Sequence, residues 1–163
     1  MRNLIIAFSI MLLGACKSNG KLQPKGDDRL QGIWQEQKSV VKDSLLSSEY
    51  MILELKCDSF YLTLNVFAKD NVMNDTCFGN GNWKEYAKGT YLIKDDTIAL
   101  MGSYTKSNFK QKISGCHRSN YLDNYYVMRS LEDQKMVLSD VRGHGNFSLL
   151  RTKKSVCIQK EIF

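Results

Sequence analysis

Phe60-Tyr-Leu-Thr-Leu-Asn-Val66 shows the clearest strand pattern in the chain. Large apolar residues occupy every second position, and Tyr61, Thr63 and Asn65 stand between them. Because successive side chains of a strand point to opposite faces, this alternation predicts a strand with one buried face. No window after Leu30 sustains a helical period, so the sequence predicts an all-β domain.

Similar short segments recur along the chain and are separated by polar turns. Lys56-Cys-Asp-Ser59 and Asp95-Asp96 are typical of the turns that join the two strands of a hairpin. Only Ser39–Ser48 is compatible with one or two helical turns. The regular spacing favours a barrel or sandwich, and we predict an antiparallel up-and-down barrel of about eight strands. The candidate strands are Gly32–Val40, Tyr50–Lys56, Phe60–Val66, Gly89–Lys94, Thr97–Tyr104, Asp123–Arg129, Lys135–Val141 and Asn146–Lys153.

The first residues of the chain have the composition of an export signal. Arg2 precedes an apolar run, Leu4–Leu13, which ends in Leu13-Gly-Ala-Cys16. A transmembrane helix is the alternative, but it needs roughly 20 apolar residues and this run is much shorter. The four final residues resemble the lipobox of bacterial lipoprotein signals. That resemblance implies cleavage before Cys16 and attachment of acyl chains to its thiol.

These features divide the chain into three parts. Residues 1–15 are expected to be a lipoprotein signal peptide, residues 16–29 the lipidated cysteine and a polar tether, and residues 30–163 the β-barrel domain. Lys17 stands where enteric lipoproteins retained in the inner membrane have aspartate. The resemblance therefore implies an envelope protein anchored to the outer membrane, facing either the periplasm or the cell surface.

The charge of the chain is moderately basic. Lys and Arg number 23 and Asp and Glu 17, which gives a formal net charge of +6. Such a balance suits contact with anionic envelope surfaces, and it equally suits an ordinary soluble surface with spread charge. The lysines are scattered and no aromatic-rich RNA-binding motif is present, so we expect no nucleic-acid partner.

A second resemblance comes from the first and the last predicted strands. Gly32-Ile-Trp34 in the first strand and Arg151 in the last resemble the lipocalin pattern of a Gly-x-Trp opening and a late-strand arginine. The resemblance implies that the arginine packs across the indole of Trp34 and closes the barrel floor. Gly32, Trp34 and Arg151 are then structural residues. An interior that binds small amphiphilic molecules is a further implication.

Five cysteines are present, and four remain if Cys16 is lipidated. An even number in an oxidising compartment implies two disulfides, with three possible connectivities. In an up-and-down meander, Cys57 and Cys157 fall at one end of the barrel, while Cys77 and Cys116 fall at the other. Since bonded Cα atoms lie within roughly 7 Å, Cys57–Cys157 and Cys77–Cys116 are the preferred pairs. A four-thiolate metal site is the alternative, but no C-x-x-C spacing supports it.

Catalytic motifs are absent from the sequence. It has no H-E-x-x-H, no G-x-S-x-G and no glycine-rich phosphate loop, and we expect no cofactor and no metal. Gly79-Asn-Gly81 is predicted to be a turn. Only His117 and His144 could serve as acid–base groups, and both fall in predicted loops.

Three functions follow from these observations. The leading hypothesis is a noncatalytic envelope lipoprotein that binds a small or amphiphilic ligand inside the barrel. The alternative is a structural or protein-interaction module with an interior filled by side chains. The third is an enzyme that uses a loop histidine. Ligand-lining candidates combine apolar rings with hydrogen-bonding groups, and they are Trp83, Tyr91, Tyr104 and Tyr126.

Overall fold

Eight antiparallel strands, paired in chain order, close into one barrel. The computed structural model describes residues 26–39, 45–69, 76–113, 115–116, 118–143 and 145–158. β1 closes the barrel by pairing with β8. The predicted all-β class and eight-stranded barrel are therefore confirmed. The strands are β1 Gly32–Glu36, β2 Ser47–Lys56, β3 Ser59–Ala68, β4 Asn82–Lys94, β5 Thr97–Thr105, β6 Tyr121–Leu131, β7 Lys135–Asp140 and β8 Asn146–Lys154.

The core of the molecule lies inside the barrel and follows the period of two. In β3, every second residue from Phe60 to Val66 is buried, and the residues between them are partly exposed. Tyr125 and Tyr126 point to opposite faces as adjacent strand residues must, with 39% and 5% of their surfaces exposed. Apolar inward side chains from all eight strands form one continuous cluster.

The two ends of the barrel differ in their connections. At one end, which we call the floor, the turns between β2 and β3, β4 and β5, and β6 and β7 are two or three residues long. The opposite end, which we call the mouth, carries the longer connections between β1 and β2, β3 and β4, and β5 and β6. The longer loops, in which sequence and length can vary, therefore lie at the mouth.

Two strand boundaries differ from the prediction by four residues or more, and the others agree within three residues. β1 ends at Glu36 and not at Val40, because the Glu36 carboxylate accepts the hydrogen bond from the Met51 N–H at 2.9 Å. β4 begins at Asn82 and not at Gly89. The charged Glu85 occupies an inward position of β4, so the first half of this strand lacks an apolar alternation. Half of the helix-compatible segment Ser39–Ser48, residues 40–44, lies outside the described residues, and its last two residues belong to β2.

A turn does form at Gly79-Asn-Gly81, at the end of the kinked 3-10 segment Thr76–Gly81. All three residues have positive φ, at 49°, 55° and 90°. A Cβ atom on Gly81 would lie 2.3 Å from the Ala68 carbonyl oxygen. Glycine is therefore required where this loop approaches the end of β3.

One disulfide lies at each end of the barrel. Cys57, in the β2–β3 turn, is bonded to Cys157 after β8, with Cα atoms 4.8 Å apart. Cys77 and Cys116 join the β3–β4 and β5–β6 loops at the mouth, with a Cα separation of 5.4 Å. These are the two pairs preferred on the basis of the strand count.

Candidate functional site

A tryptophan and an arginine close the floor of the barrel. Trp34 is fully buried, and its indole N–H donates to the Leu30 carbonyl at 2.8 Å. The guanidinium carbon of Arg151 lies 4.3 Å from the centre of the Trp34 ring, and the two residues are cross-strand neighbours. Arg151 also donates to Asp133 at 3.2 Å and to the Arg29 carbonyl. The contact expected from the Gly-x-Trp and arginine pattern is therefore present.

Gln31 completes the floor, although nothing in its sequence context singled it out. Its side chain is 1% exposed. The amide oxygen accepts from the Cys57 N–H at 2.6 Å, and the amide nitrogen donates to the Cys57 carbonyl at 3.0 Å and to the Tyr91 hydroxyl at 2.8 Å. A buried polar side chain with all these partners ties the chain before β1 to the β2–β3 turn.

The four ligand-lining candidates do not form one site. Tyr91 lies in the floor, 2% exposed, and its hydroxyl is held by Gln31. Tyr126 lies inside the barrel and accepts a hydrogen bond from Asn124 at 3.1 Å. Trp83 and Tyr104 are half-buried near the mouth. The buried hydroxyls of Tyr91 and Tyr126 thus each have a partner within the protein.

An arginine from the β5–β6 loop spans the mouth. Arg118 pairs with Glu49 of β2, and its backbone N–H donates to Glu85 of β4 at 3.3 Å. Its guanidinium also lies 5.9 Å from the centre of the Tyr104 ring. Lys112 donates to the Arg118 carbonyl at 2.9 Å and holds the loop in place. No sequence pattern predicted this contact, because Arg118 and Glu49 stand 69 residues apart.

Three carboxylates are buried near the mouth: Glu36, Glu85 and Asp140, which are 6%, 4% and 7% exposed. Each accepts hydrogen bonds, as the charge of a buried carboxylate requires. Asp140 accepts from the Arg142 N–H at 2.6 Å, for example. Within the described part of the chain, no three His, Cys, Asp or Glu side chains are grouped so that they could hold a metal ion.

A pocket of about 450 Å³ lies on the outer wall of the barrel, at the mouth ends of β2, β3 and β4. We call it the side pocket. It combines two aromatic rings, an aliphatic side chain and two ammonium groups. No sequence pattern predicted it, because its strand residues point away from the core and its other residues lie in the connections between strands. Its lining includes Lys38, Leu45, Tyr50, Phe67, Lys69 and Asn82.

Several predicted functional residues lie outside the described residues. They are Cys16 in the lipobox and the two histidines, His117 and His144. Where the structure describes the chain, no helix has the length and apolar character of a membrane span.

We expect Tyr126 to make stability depend on pH in the alkaline range. Burial, with the nearby Asp140 carboxylate, raises the pKa of Tyr126 from 10.0 to about 12. The folded state therefore keeps a proton that the unfolded state releases, and stability falls as pH rises from 10 towards 12. The loss amounts to about 2–3 kcal/mol.

Chemical denaturation below pH 10 and near pH 12 measures this effect. Tyr126→Phe removes the titrating hydroxyl and should flatten that part of the stability profile. Parallel profiles for the variant and the parent protein would contradict the assignment.

Comparisons of this chain with protein-family models, with curated protein sequences and with solved structures find no match.

Proposed function

We propose that this protein is a noncatalytic, lipid-anchored module of the bacterial envelope, with a lipocalin-like barrel whose interior is filled by side chains. The observation that carries the proposal is the closure of both barrel ends. Arg151 lies over Trp34 at the floor, and Arg118 pairs with Glu49 across the mouth. Between them the inward side chains pack into one apolar cluster. A filled small barrel acts through its outer surface and loops.

The cysteines support a location outside the cytoplasm. Cys57, Cys77, Cys116 and Cys157 are all used in disulfides, which persist in oxidising compartments. Only Cys16 is left over, and it stands at the lipidation position of the lipobox. Attachment to the outer membrane remains the expectation from Lys17.

The path of the chain suggests how the domain is oriented on its anchor. The segment before β1 joins the barrel at the floor, where Gln31 donates to the Asp27 carbonyl at 3.2 Å as well as to Cys57. A tether leading from Cys16 therefore reaches the floor first. The mouth loops, including the disulfide between Cys77 and Cys116, then face away from the membrane and are available to a partner.

A filled interior distinguishes this proposal from the hypothesis that the barrel binds a ligand inside it. Trp83→Phe leaves Trp34, at the floor, as the only tryptophan, since the chain has two. Titration with a brominated fatty acid, a short-range quencher, should leave the Trp34 emission unchanged. Saturable quenching would instead show that an amphiphile enters the barrel and would overturn the filled-interior proposal.

We assign no catalytic role to His117 or His144, because no catalytic motif accompanies them. Cells that carry the double variant His117→Ala/His144→Ala should show the same phenotypes as cells that carry the parent protein. A loss of function with an unchanged melting temperature would favour the enzyme hypothesis.

Cys16→Ser tests the anchor. Each buried methylene of an acyl chain contributes about 0.8 kcal/mol to membrane binding, so several chains together make release negligible. We expect the parent protein to sediment with membranes, and the variant to be released or to accumulate as the unprocessed precursor. Ser18→Ala is the matched control, because it changes a small residue beside the lipobox and leaves Leu13–Cys16 and both disulfides intact. A processed Cys16→Ser protein found wholly in membranes would contradict the anchor.

A further inference from the structure

Two aromatic rings form the base of the side pocket, on the outer face of the barrel. Tyr50 of β2 and Phe67 of β3 meet edge to face, with ring centres 6.2 Å apart. Tyr50 points away from the core, yet it is only 5% exposed, and its hydroxyl donates to the Ser39 carbonyl at 3.4 Å. Ser39, in the connection that follows β1, therefore lies over the outer face of β2 at Tyr50.

Apolar surface is exposed around these rings. Phe67 is 39% exposed, and Leu45 and Leu46 are 51% and 69% exposed. The Lys69 N–H donates to the Leu46 carbonyl at 2.8 Å, so the end of β3 holds this pair of leucines beside the pocket. A hydrocarbon chain laid along this surface would remove apolar area from water.

The same pocket carries positive charge at its rim. Lys38 and Lys69 both line it, and the Lys38 ammonium lies 5.8 Å from the centre of the Phe67 ring. Neither ammonium group has a carboxylate partner among the described residues. The charge of the pocket is therefore complementary to an anion placed next to an apolar chain.

We propose that the side pocket binds a single-chain anionic amphiphile, with its hydrocarbon chain against Tyr50, Phe67 and Leu45 and its headgroup between Lys38 and Lys69. The volume of about 450 Å³ lies within the range of small-ligand pockets, about 300–1,000 Å³. Such a site lies outside the barrel, and it differs from the interior site expected from the lipocalin resemblance. It does not depend on the anchor or on the filled interior.

Calorimetric titration with two lysolipids tests the proposal. Lysophosphatidylglycerol is anionic and lysophosphatidylcholine is zwitterionic, and both are used below their critical micelle concentrations. The full chain carries Cys16→Ser, so that its own acyl chains do not compete. We expect the anionic lipid to bind about tenfold more tightly, since two exposed charge contacts each contribute modestly.

Variants locate the site. Lys38→Gln/Lys69→Gln should remove the preference for the anionic lipid, and Phe67→Ser should weaken binding of both lipids. Both lysines are exposed, so the double variant keeps the fold. Lys88→Gln/Lys94→Gln is the matched control, because it removes two exposed lysines from the outer face of β4 and should leave binding unchanged.

Three results would overturn the proposal: no binding of either lipid, equal binding of both, or an equal loss in the control variant. The last would show attraction to the basic surface as a whole. Quenching of Trp34 by a brominated chain would contradict the filled interior, whereas the lysine variants decide the side pocket. Failure of one proposal is therefore distinguishable from failure of the other.

Discussion

Replacing Cys57 and Cys157 together with alanine should lower the free energy of unfolding by about 5 kcal/mol. The bridge joins residues 100 apart in sequence, and closing so long a loop restricts the unfolded chain strongly. In the folded state it ties the end of β8 to the β2–β3 turn. Denaturation with guanidinium chloride, followed by tryptophan fluorescence without reductant, measures the loss.

The second disulfide provides the comparison for the first. Cys77 and Cys116 are 39 residues apart, so the same reasoning gives a loss of about 4 kcal/mol for Cys77→Ala/Cys116→Ala. We expect the larger loss of unfolding free energy for the disulfide that closes the longer loop. A change below about 1 kcal/mol for the Cys57 and Cys157 variant would mean that the floor is held together without the bridge.

Trp34→Ala should destabilise the protein by about 3–5 kcal/mol, the range for removal of a buried aromatic side chain. Trp34 is fully buried, and its loss would leave a cavity beneath Arg151. It would also leave the Leu30 carbonyl without its donor and the Arg151 guanidinium without the ring that it covers. Equilibrium unfolding in urea measures the change.

Trp34→Phe is the conservative control for this prediction. It keeps an aromatic ring under Arg151 and loses the indole N–H, so a smaller loss of about 1–3 kcal/mol is expected. A double-mutant cycle with Arg151→Ala isolates the contact between the ring and the guanidinium, for which about 0.5–2 kcal/mol is expected. Equal effects of Trp34→Ala and Trp34→Phe would contradict a packing role for the indole.

The fold could be predicted because each strand must turn an apolar face to one interior. β3 shows the pattern without interruption from Phe60 to Val66. The two disulfide pairs could also be predicted, because the number of strands before each cysteine places it at one end of the barrel. The first half of β4 was missed because Glu85 faces inward, where the pattern calls for an apolar residue. Buried charges depend on partners distant in sequence, and alternation cannot reveal them.

The candidate sites were less predictable than the fold. The contact between Trp34 and Arg151 came from a resemblance, since the two residues meet only when the barrel closes. Gln31 carries no pattern of its own and acquires its role from the groups around it. The side pocket depends on outward-facing residues of three strands and on residues outside the strands, such as Lys38 and Leu45. Sequence periodicity describes the buried face of a strand and leaves such surfaces undetermined.

The intact mass of the protein purified from its native membranes shows whether an acylated cysteine holds this disulfide-bonded barrel in the envelope. We predict a chain that begins at Cys16, carries the added mass of acyl chains on that residue and contains two disulfides. An unmodified chain that begins at Met1 with free thiols would contradict the account.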